Sequence, residues 1–467
     1  MSMSFFTSGQ LGEFKAILDS TRDIPGVYLS SVRVMLQRPE VVRQLFWTEG
    51  TNPSKQTPQA AGKESASLSF EVRRRITMLG LFELLLKGEY AAFTKEQKKP
   101  LSLAAFQQLS EEANLLNANE LAAIRASCFF VISDSAREQL KKVTSQDVFD
   151  SEVFLTRVTE ALLKCDKEQR GSLMPYSALL TESQFTLLSQ CYLENCHLRH
   201  MMFTEGGKNM FKGLEQAEPS AIKLWKWRWL CNLFGFNGNS TYYDQDVHDI
   251  VAELFKKIKA TKNPHQLLVE YLCWRADRAG FLQRSGSDID ENEKLFLGHL
   301  AAFGNKVTIL DVESGQEILR GYLYFRDQLH GGLTPAADYV QYFIPNVQVT
   351  PTYIPALMNA VYDILSNVKD QEFQSLQQKM SPLFDGKKLS PLSLATIYCC
   401  QVLAAIYRPA VSYRERVSCQ KSTSKAVLLE LLKGWLENGL ALSASVINNE
   451  VFVSGVQARS ENQPRPR

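Results

Sequence analysis

Residues 246–259 read DVHDIVAELFKKIK, and this stretch shows most clearly the pattern that decides the fold of the chain. Val247, Ile250, Leu254 and Ile258 lie three or four positions apart, with charged residues among the positions between them. Because an α-helix repeats every ~3.6 residues, this spacing places the apolar side chains on one face and predicts an amphipathic helix.

The same spacing recurs along the whole chain. It predicts further helices in the segments Gly9–Leu18, Phe70–Lys87, Ser102–Leu115, Ala118–Phe130, Ser151–Lys164, Glu182–Phe203, Ser220–Phe234, Asn263–Gln283, Ile354–Met380 and Ser424–Asn438. No strand pattern alternates regularly with these segments, so a doubly wound sheet is not expected. The sequence therefore predicts a mostly α-helical protein that is divided into several lobes.

Two short stretches favour β-structure instead. Val307–Val312 and Ile318–Phe325 flank the polar tetrapeptide ESGQ, which predicts a β-hairpin over residues 307–325. Near the C-terminus, Ala444–Ile447 and Val451–Ser454 flank a pair of asparagines in the same way. One or two small hairpins are therefore expected as additions to the helical body.

The length of the chain suggests more than one domain. A chain of 467 residues is expected to form about two to four domains. Changes in composition predict an N-terminal helical domain at 1–240 with a polar loop at 48–67, a histidine-containing segment at 241–350, a C-terminal helical domain at 351–455 and a disordered tail at 456–467.

The balance of charge argues against a nucleic-acid-binding protein. The chain has 52 Lys and Arg against 50 Asp and Glu, which leaves a formal net charge of +2. Proteins that bind nucleic acids or anionic membranes neutralise phosphates with a surplus of basic residues. No nucleic acid is therefore expected as a partner, and a membrane is not expected either.

The cysteines indicate a reducing compartment. Their number, nine, is odd and no CxxC pair occurs, so neither a disulfide framework nor a cysteine-rich zinc site is expected. The N-terminal residues MSMSFFTSGQLGEFK lack the basic and apolar regions of a secretory signal. These features predict a cytoplasmic protein that holds no metal and no cofactor.

One uncharged stretch must be weighed as a membrane span. Leu389–Tyr407 contains no charged residue, but two serines, a threonine, a glutamine and a proline interrupt it. Spans usually need about 20 mostly apolar residues. Because Ser390 followed by Pro391 is typical of a helix start, a buried core helix is expected here.

The histidines mark the first place to look for chemistry. All six lie between His197 and His330, and the segment around His197 also contains Glu194, His200 and Glu205. Two imidazoles and a carboxylate suit general acid–base catalysis, although the stricter HExxH zinc spacing is absent. His197, His200 and Glu205 are therefore candidate catalytic residues. The alternative is a partly buried helix end whose histidines bond to backbone carbonyls.

Arginines near these histidines are candidates for binding a substrate. Arg275 and Arg278 lie in the charged segment LLVEYLCWRADRAGF, as an arginine pair facing a phosphate or as members of structural salt bridges. Arg199 lies between the two candidate catalytic histidines, and His330 precedes two glycines in a predicted loop. Arg199, Arg275, Arg278 and His330 are the candidate substrate-binding residues.

Three tryptophans alternate in the segment KLWKWRWLCNLFGF. On the helix predicted there, Trp225, Trp227 and Trp229 spread over much of the circumference. They are interpreted either as an aromatic patch that binds a partner or as core at a domain interface.

Three segments together resemble the all-helical, HD-like phosphodiesterase domain of SidE-family bacterial effectors. They are SFEVRRRIT at 69–77, FVISDSARE at 130–138 and YLENCHLR at 192–199. The resemblance covers roughly residues 60–240 and implies a helical scaffold that cleaves phosphodiester bonds with two histidines and a glutamate. The first segment has no histidine, the second has Ser133 and Asp134 where His-Asp is expected, and only His197 matches. The resemblance therefore implies a scaffold whose chemistry was lost or changed.

Two hypotheses of function follow. The first is an effector-type interaction protein that binds a protein partner through its helical body, because no complete catalytic motif is present and the charge is balanced. The polar, arginine-containing tail suits a C-terminal secretion signal, so delivery into a host cell belongs to this hypothesis. The alternative is a phosphodiesterase-like or other phosphoryl-processing enzyme that uses the His197 and His200 region.

Overall fold

The computed structural model describes most of the middle of the chain and several C-terminal stretches. The described residues are 74–128 (without 76), 154–236 (without 174–179, 195, 205 and 206), 240–280, 289–302, 312–329, 336, 353–367, 375, 389–406, 418–419, 425–440, 442–447 and 450–455. Most of them are helical, which confirms the mostly α-helical prediction. The predicted helix Gly9–Leu18, the loop 48–67 and the tail 456–467 lie outside them.

The helices are numbered here in chain order. They are α1 (77–86), α2 (Tyr90–Thr94), α3 (Leu103–Asn114), α4 (Ala118–Cys128), α5 (Phe154–Leu163), α6 (Lys167–Leu173), α7 (Glu182–Gln190), α8 (Leu198–Met202), α9 (Lys212–Glu215), α10 (Pro219–Phe234), α11 (Gln245–Ala260), α12 (Pro264–Arg278), α13 (Glu291–Ala302), α14 (Val312–Tyr324), α15 (Tyr353–Asn367), α16 (Pro391–Ile406) and α17 (Lys425–Glu437). Gly207–Phe211 and Ser240–Tyr242 form 3-10 turns, and Phe325–Leu329 forms a π-helical turn.

The chain divides into two units, neither of which is one continuous stretch. Unit 1 contains Met1–Cys196 and Gln216–Glu253, and unit 2 contains His197–Glu215 and Leu254–Arg467. The chain passes from unit 1 to unit 2 for the last time between Glu253 and Leu254, close to the boundary predicted near residue 240. The predicted boundary near residue 350 does not divide unit 2.

Residues 197–215 were expected in the N-terminal domain but belong to unit 2. The 3-10 turn Gly207–Phe211 contacts α12. In addition, the Tyr271 hydroxyl of α12 donates a hydrogen bond of 2.7 Å to the carbonyl of Met202. These contacts join residues that are far apart in sequence. Changes in composition along the chain therefore could not predict that residues 197–215 belong to unit 2.

Several helices begin where side chains can cap them. The Ser102 hydroxyl accepts the backbone N–H of Ala105 at the start of α3. Thr181 and Gln184 form a capping box at the start of α7, and Asn263 caps α12 ahead of a proline at its first position. Each cap satisfies a backbone N–H that the helix leaves unpaired and contributes about 1 kcal/mol.

Aromatic rings hold the core of unit 1 together. The ring of Phe93 lies 5.3 Å from those of Phe106 and Phe234, and Phe234 meets Tyr243 edge-to-face at 4.8 Å. Each such pair contributes about 0.5–1.5 kcal/mol beyond the area that it buries. These contacts join α2, α3 and α10 to the start of α11.

Glycines allow close approaches between the helices of unit 2. A Cβ atom on Gly298 of α13 would lie 2.1 Å from the Leu272 carbonyl oxygen of α12. A Cβ atom on Gly321 of α14 would lie 2.4 Å from the Ser393 carbonyl oxygen of α16. Both helix pairs therefore pack backbone to backbone at positions where any larger residue would collide.

The predicted hairpin at 307–325 is wrong, because Val312–Tyr324 is the helix α14. The buried side chains Ile318, Leu319, Tyr322 and Phe325 follow the spacing of a helix face. The β-branched and aromatic residues that suggested strands are therefore the buried face of this helix, and tertiary packing overrides their propensity.

A small sheet lies near the C-terminus of unit 2. β2 (Leu442–Ile447) and β3 (Glu450–Gly455) are antiparallel in the segment where the second hairpin was expected. A two-residue strand, β1 (Ser418–Cys419), pairs with β3 in parallel, so the strand order is β1-β3-β2.

The predicted helix Glu182–Phe203 is interrupted. α7 ends at Gln190 and α8 begins at Leu198, with His197 in an extended conformation at its N-cap. The Cys196 carbonyl accepts a hydrogen bond of 2.8 Å from the Trp225 indole N–H. The indole N–H thus binds a carbonyl that a backbone N–H would bind in a continuous helix. The helical spacing of apolar residues therefore continues in the sequence although the helix itself is broken.

The uncharged stretch at 389–407 forms α16, which is largely buried. The Ser390 hydroxyl accepts the backbone N–H of Ser393 at 3.1 Å and caps this helix, as its sequence indicated. Within the part of the chain that the structure describes, no helix has the length and apolar character needed to cross a bilayer.

Candidate functional site

A buried polar cluster of unit 2 lies at the C-terminal end of α8. Tyr271 of α12 is fully buried and donates its hydroxyl to the Met202 carbonyl at 2.7 Å. Thr204, two residues further on, has a φ of 51°, a left-handed conformation that is uncommon for a residue with a Cβ. The chain therefore turns sharply after α8, directly beside a buried tyrosine.

Arg275 carries the charge of this cluster. It lies one helical turn after Tyr271, is only 1% exposed and donates from Nη2 to the Ala301 carbonyl of α13. Its Nε and Nη1 atoms have no hydrogen-bond partner, and no carboxylate among the described residues pairs with it. Burial lowers the pKa of this guanidinium, but an arginine stays charged in a protein. The predicted substrate-binding Arg275 is thus a buried cation that makes a hydrogen bond with Tyr271, and the charged group that acts on it is another cation, Arg278.

His299 of α13 belongs to the same unit and stays neutral. It is 1% exposed, and burial lowers the pKa of its imidazole to about 3, opposed by a hydrogen bond with the backbone of Thr204. A neutral imidazole can accept or donate a proton in a hydrogen bond but carries no charge at neutral pH. Sequence reasoning did not single out His299, because its apolar surroundings are those of a core helix.

The structure describes only some of the side chains that were predicted to be catalytic. His197 is half-buried at the N-cap of α8, and Arg199 within α8 stacks over the Phe203 ring at 5.8 Å. The backbone of His200 lies in α8, and its side chain is not described. Glu205 lies outside the described residues. The catalytic roles of His197, His200 and Glu205 remain predictions.

The other predicted substrate-binding residues differ from Arg275. Arg278 is exposed at the end of α12, and His330 lies outside the described residues. The π-helical turn Phe325–Leu329 ends directly before His330. The roles of Arg278 and His330 also remain predictions.

A second polar cluster of unit 2 was not predicted. Glu293 is 2% exposed and accepts hydrogen bonds from the Tyr322 hydroxyl at 2.8 Å and from Arg326 at 3.0 Å. Arg326 also pairs with Asp327, and these acidic partners raise its pKa above the ordinary range. Because every charge here has a partner, this arrangement is a structural ion-pair network that anchors the π-helical turn.

The three tryptophans do not form an exposed patch. Trp225, Trp227 and Trp229 are 0%, 2% and 4% exposed. The Trp225 indole bonds to the Cys196 carbonyl, and the Trp227 ring lies 5.8 Å from that of Phe82. The interpretation of the tryptophans as a partner-binding surface loses its basis, because their indoles pack within unit 1. The interpretation as core accounts for their burial.

Metal binding was not expected from the sequence. Among the described residues, no three His, Cys, Asp or Glu side chains come together in a way that could hold a metal ion.

Comparison with protein-family models, with curated proteins and with solved structures finds no match. The resemblance to the phosphodiesterase domain of SidE-family effectors therefore stays a prediction, and the function must be argued from the residues alone.

Proposed function

We propose that this chain is an effector-type interaction protein that binds a protein partner through the outward face of α3 in unit 1. The exposure of two leucines at opposite ends of this helix carries the proposal. Leu103 is 50% exposed and Leu115, just after the helix, is 82% exposed. Within the described part of the chain, the other large apolar side chain with notable exposure is Leu163, at 39%.

The surface between the two leucines carries little charge. Its exposed residues are Ala104, Gln107, Gln108, Glu111 and Asn114. Glu111 is the single charged residue of this set, whereas charged side chains are normally abundant on an exposed helix face. The centres of protein interfaces are depleted in charge and rich in large apolar side chains. The outward face of α3 has this composition.

The inward side of α3 is held firmly. Phe106 is buried in the aromatic core of unit 1. The Ser110 hydroxyl, which is half-buried, donates to the Leu85 carbonyl at 2.7 Å. A surface that is already ordered loses less conformational entropy when a partner binds. This rigidity favours α3 as a binding element.

The expected partner is a folded protein with an apolar contact surface and a basic residue opposite Glu111. An apolar surface would cover the two leucines, and a basic side chain would complement the one acidic charge between them. We further propose that the protein acts in the cytoplasm, and that a secretion system delivers it into a host cell.

The test compares substitutions at the two ends of α3 with a control elsewhere in unit 1. Leu103→Asp combined with Leu115→Asp places two charges on the proposed contact. Leu163→Asp places a charge on the third exposed leucine. The partner is identified by proximity labelling in cells, purified and titrated calorimetrically against each variant. We expect the double variant to weaken binding roughly tenfold or more, and the control to bind like the unmodified chain.

Equal affinity of all three proteins for the purified partner would contradict the proposal. Light scattering of the purified chain adds a second criterion. If the unmodified chain dimerises and the double variant is monomeric, the face binds a second copy of the chain rather than a different protein.

A second candidate function is a phosphoryl-processing enzyme. The observation that favours it is the hydrogen bond from Tyr271, the neighbour of the buried Arg275, to Met202 at the end of α8, the helix that carries Arg199 and His200. The proposal requires that His197 or His200 supplies the general acid–base group and that an arginine of the same unit binds the phosphoryl charge. Its test is hydrolysis of bis(p-nitrophenyl) phosphate by the unmodified chain and by His197→Ala. Activity that the variant loses would support an enzyme, and equal rates would remove this candidate.

A further inference from the structure

A second buried arginine, Arg228, belongs to unit 1. It lies on α10 and is 4% exposed. Its guanidinium stacks over the Trp229 ring at 3.8 Å and over the Tyr192 ring at 4.9 Å from the ring centroids. Stacking on aromatic faces stabilises the cation but leaves the N–H donors in the plane of the guanidinium unused.

The hydrogen-bond donors of Arg228 are largely unsatisfied. Its Nε and Nη1 atoms are buried without an acceptor, although the side chain also makes a hydrogen bond with the Tyr192 hydroxyl. The described groups that act on its charge are Tyr192, Arg75 and Cys191. None of these is a carboxylate, and Arg75 is a second cation. An unsatisfied buried donor is costly, and an uncompensated buried charge is more costly still.

The neighbours of Arg228 cannot supply the missing negative charge by ionising. Burial raises the pKa of the Tyr192 hydroxyl and the pKa of the Cys191 thiol, and the nearby Arg228 only partly opposes these shifts. Both groups are therefore neutral at neutral pH. The compensating charge must come from outside the described residues of unit 1.

A comparison within unit 1 shows what a satisfied arginine looks like. Arg170 is also 4% exposed and stacks over the Phe185 ring at 4.6 Å. In contrast to Arg228, its Nη2 atom pairs with the carboxylate of Glu182. The two arginines share burial and stacking, and they differ in the oxyanion that Arg170 has and Arg228 lacks.

We propose that Arg228 binds an oxyanion of a ligand, such as a phosphate or a carboxylate group, while its hydrogen bond with Tyr192 holds the guanidinium in place. The oxyanion accepts the Nε and Nη1 protons of Arg228 that no protein acceptor takes. The Tyr192 hydroxyl donates its one proton to the Ser127 carbonyl at 3.5 Å, so the donors for the oxyanion come from Arg228. The site is distinct from α3 and does not depend on the partner proposed for that helix.

The test measures the thermal stability of the full chain in different anions. Sodium phosphate, sulfate and acetate are each compared with chloride at equal ionic strength and pH. A ligand that binds the native state raises the melting temperature in proportion to the logarithm of its concentration. We expect at least one oxyanion to raise the melting temperature above that in chloride. The most effective one indicates whether the ligand carries a phosphate or a carboxylate.

Two substitutions locate the effect. Arg228→Met keeps an unbranched apolar stem and removes the guanidinium with its charge, so we expect the oxyanion-specific rise in melting temperature to disappear. Arg170→Met is the matched control and should keep the full rise in melting temperature with the oxyanion. Because a buried charge is weakly screened, the rise in the unmodified chain should also persist in added sodium chloride.

The outcomes that overturn the proposal are equally definite. They are equal melting temperatures in all four anions, a rise that Arg228→Met retains, or a rise that Arg170→Met also loses. If Arg228→Met does not fold, Arg228→Lys replaces it, since lysine keeps the charge but lacks the planar donors. We then expect the affinity for the oxyanion to fall about tenfold, and an unchanged affinity overturns the proposal.

Discussion

At the scale of single residues, glycine positions make the sharpest prediction about packing. Gly298→Ala would place a Cβ atom 2.1 Å from the Leu272 carbonyl oxygen, so α12 and α13 must separate. We expect the free energy of unfolding to fall by about 1–3 kcal/mol. Gly434→Ala in α17 is the control, because nothing lies within 4 Å of its added Cβ, and it should stabilise the chain by about 0.5–1 kcal/mol. Urea unfolding followed by circular dichroism measures both, and equal effects would contradict the close approach.

His299 makes a prediction about acid stability. Burial lowers the pKa of its imidazole to about 3, whereas a histidine in an unfolded chain titrates near ~6.5. As the pH falls below ~6.5, protons bind the unfolded state first, and the free energy of unfolding falls by up to about 1.4 kcal/mol per pH unit until about pH 3. In His299→Gln this contribution is absent, so the decline between about pH 7 and 5 should be shallower.

The control for this prediction is a histidine that the fold leaves exposed. His265 lies at the start of α12 and is exposed, so His265→Gln should keep the pH dependence of the unmodified chain. Urea unfolding at several pH values measures all three proteins. Identical slopes for the unmodified chain and His299→Gln would show that His299 is not held neutral by burial.

At the scale of secondary-structure elements, the helix caps can be tested directly. The capping box of α7 satisfies two backbone N–H groups through Thr181 and Gln184. Thr181→Ala should therefore destabilise the chain by about 0.5–2 kcal/mol. Thr186→Ala, on the exposed side of the same helix, removes a hydroxyl that donates only to the Glu182 carbonyl and should change the stability little. Thermal unfolding measures both, and equal losses would argue against the cap.

At the scale of the whole molecule, the division into units makes a prediction about fragments. Residues 197–215 belong to unit 2, so a fragment of residues 1–240 separates them from α12. Met202, Phe203 and Phe211 are buried in the full chain, and the fragment would expose them. We expect it to bind the dye ANS and to aggregate, whereas co-expression with residues 241–467 should restore a compact complex. A monomeric fragment that unfolds cooperatively would contradict the division.

Local sequence patterns predicted most of the helices, because each depends on residues within a few turns of one another. The starts of α3, α12 and α16 coincide with caps visible in the sequence. The prediction failed for α14, where strand-favouring residues form a buried helix face, and at the break before His197. Both failures come from distant contacts that local spacing does not contain.

For the candidate functional residues too, the sequence predicted some features and only the tertiary structure showed the others. The sequence alone identified Arg275 by its residue type and its charged neighbours, and it identified the tryptophan run by composition. It could not show that these tryptophans are buried, that the Tyr271 hydroxyl meets the Met202 carbonyl, or that Arg228 lacks a carboxylate.

The helical class, the balanced charge and many helix boundaries were thus determined by the sequence by itself, because periodicity and capping act over a few residues. The composition of the two units, the break at His197 and the burial of Arg228 were decided only by the tertiary structure. They depend on which distant side chains meet, and on whether a buried charge finds a partner among them.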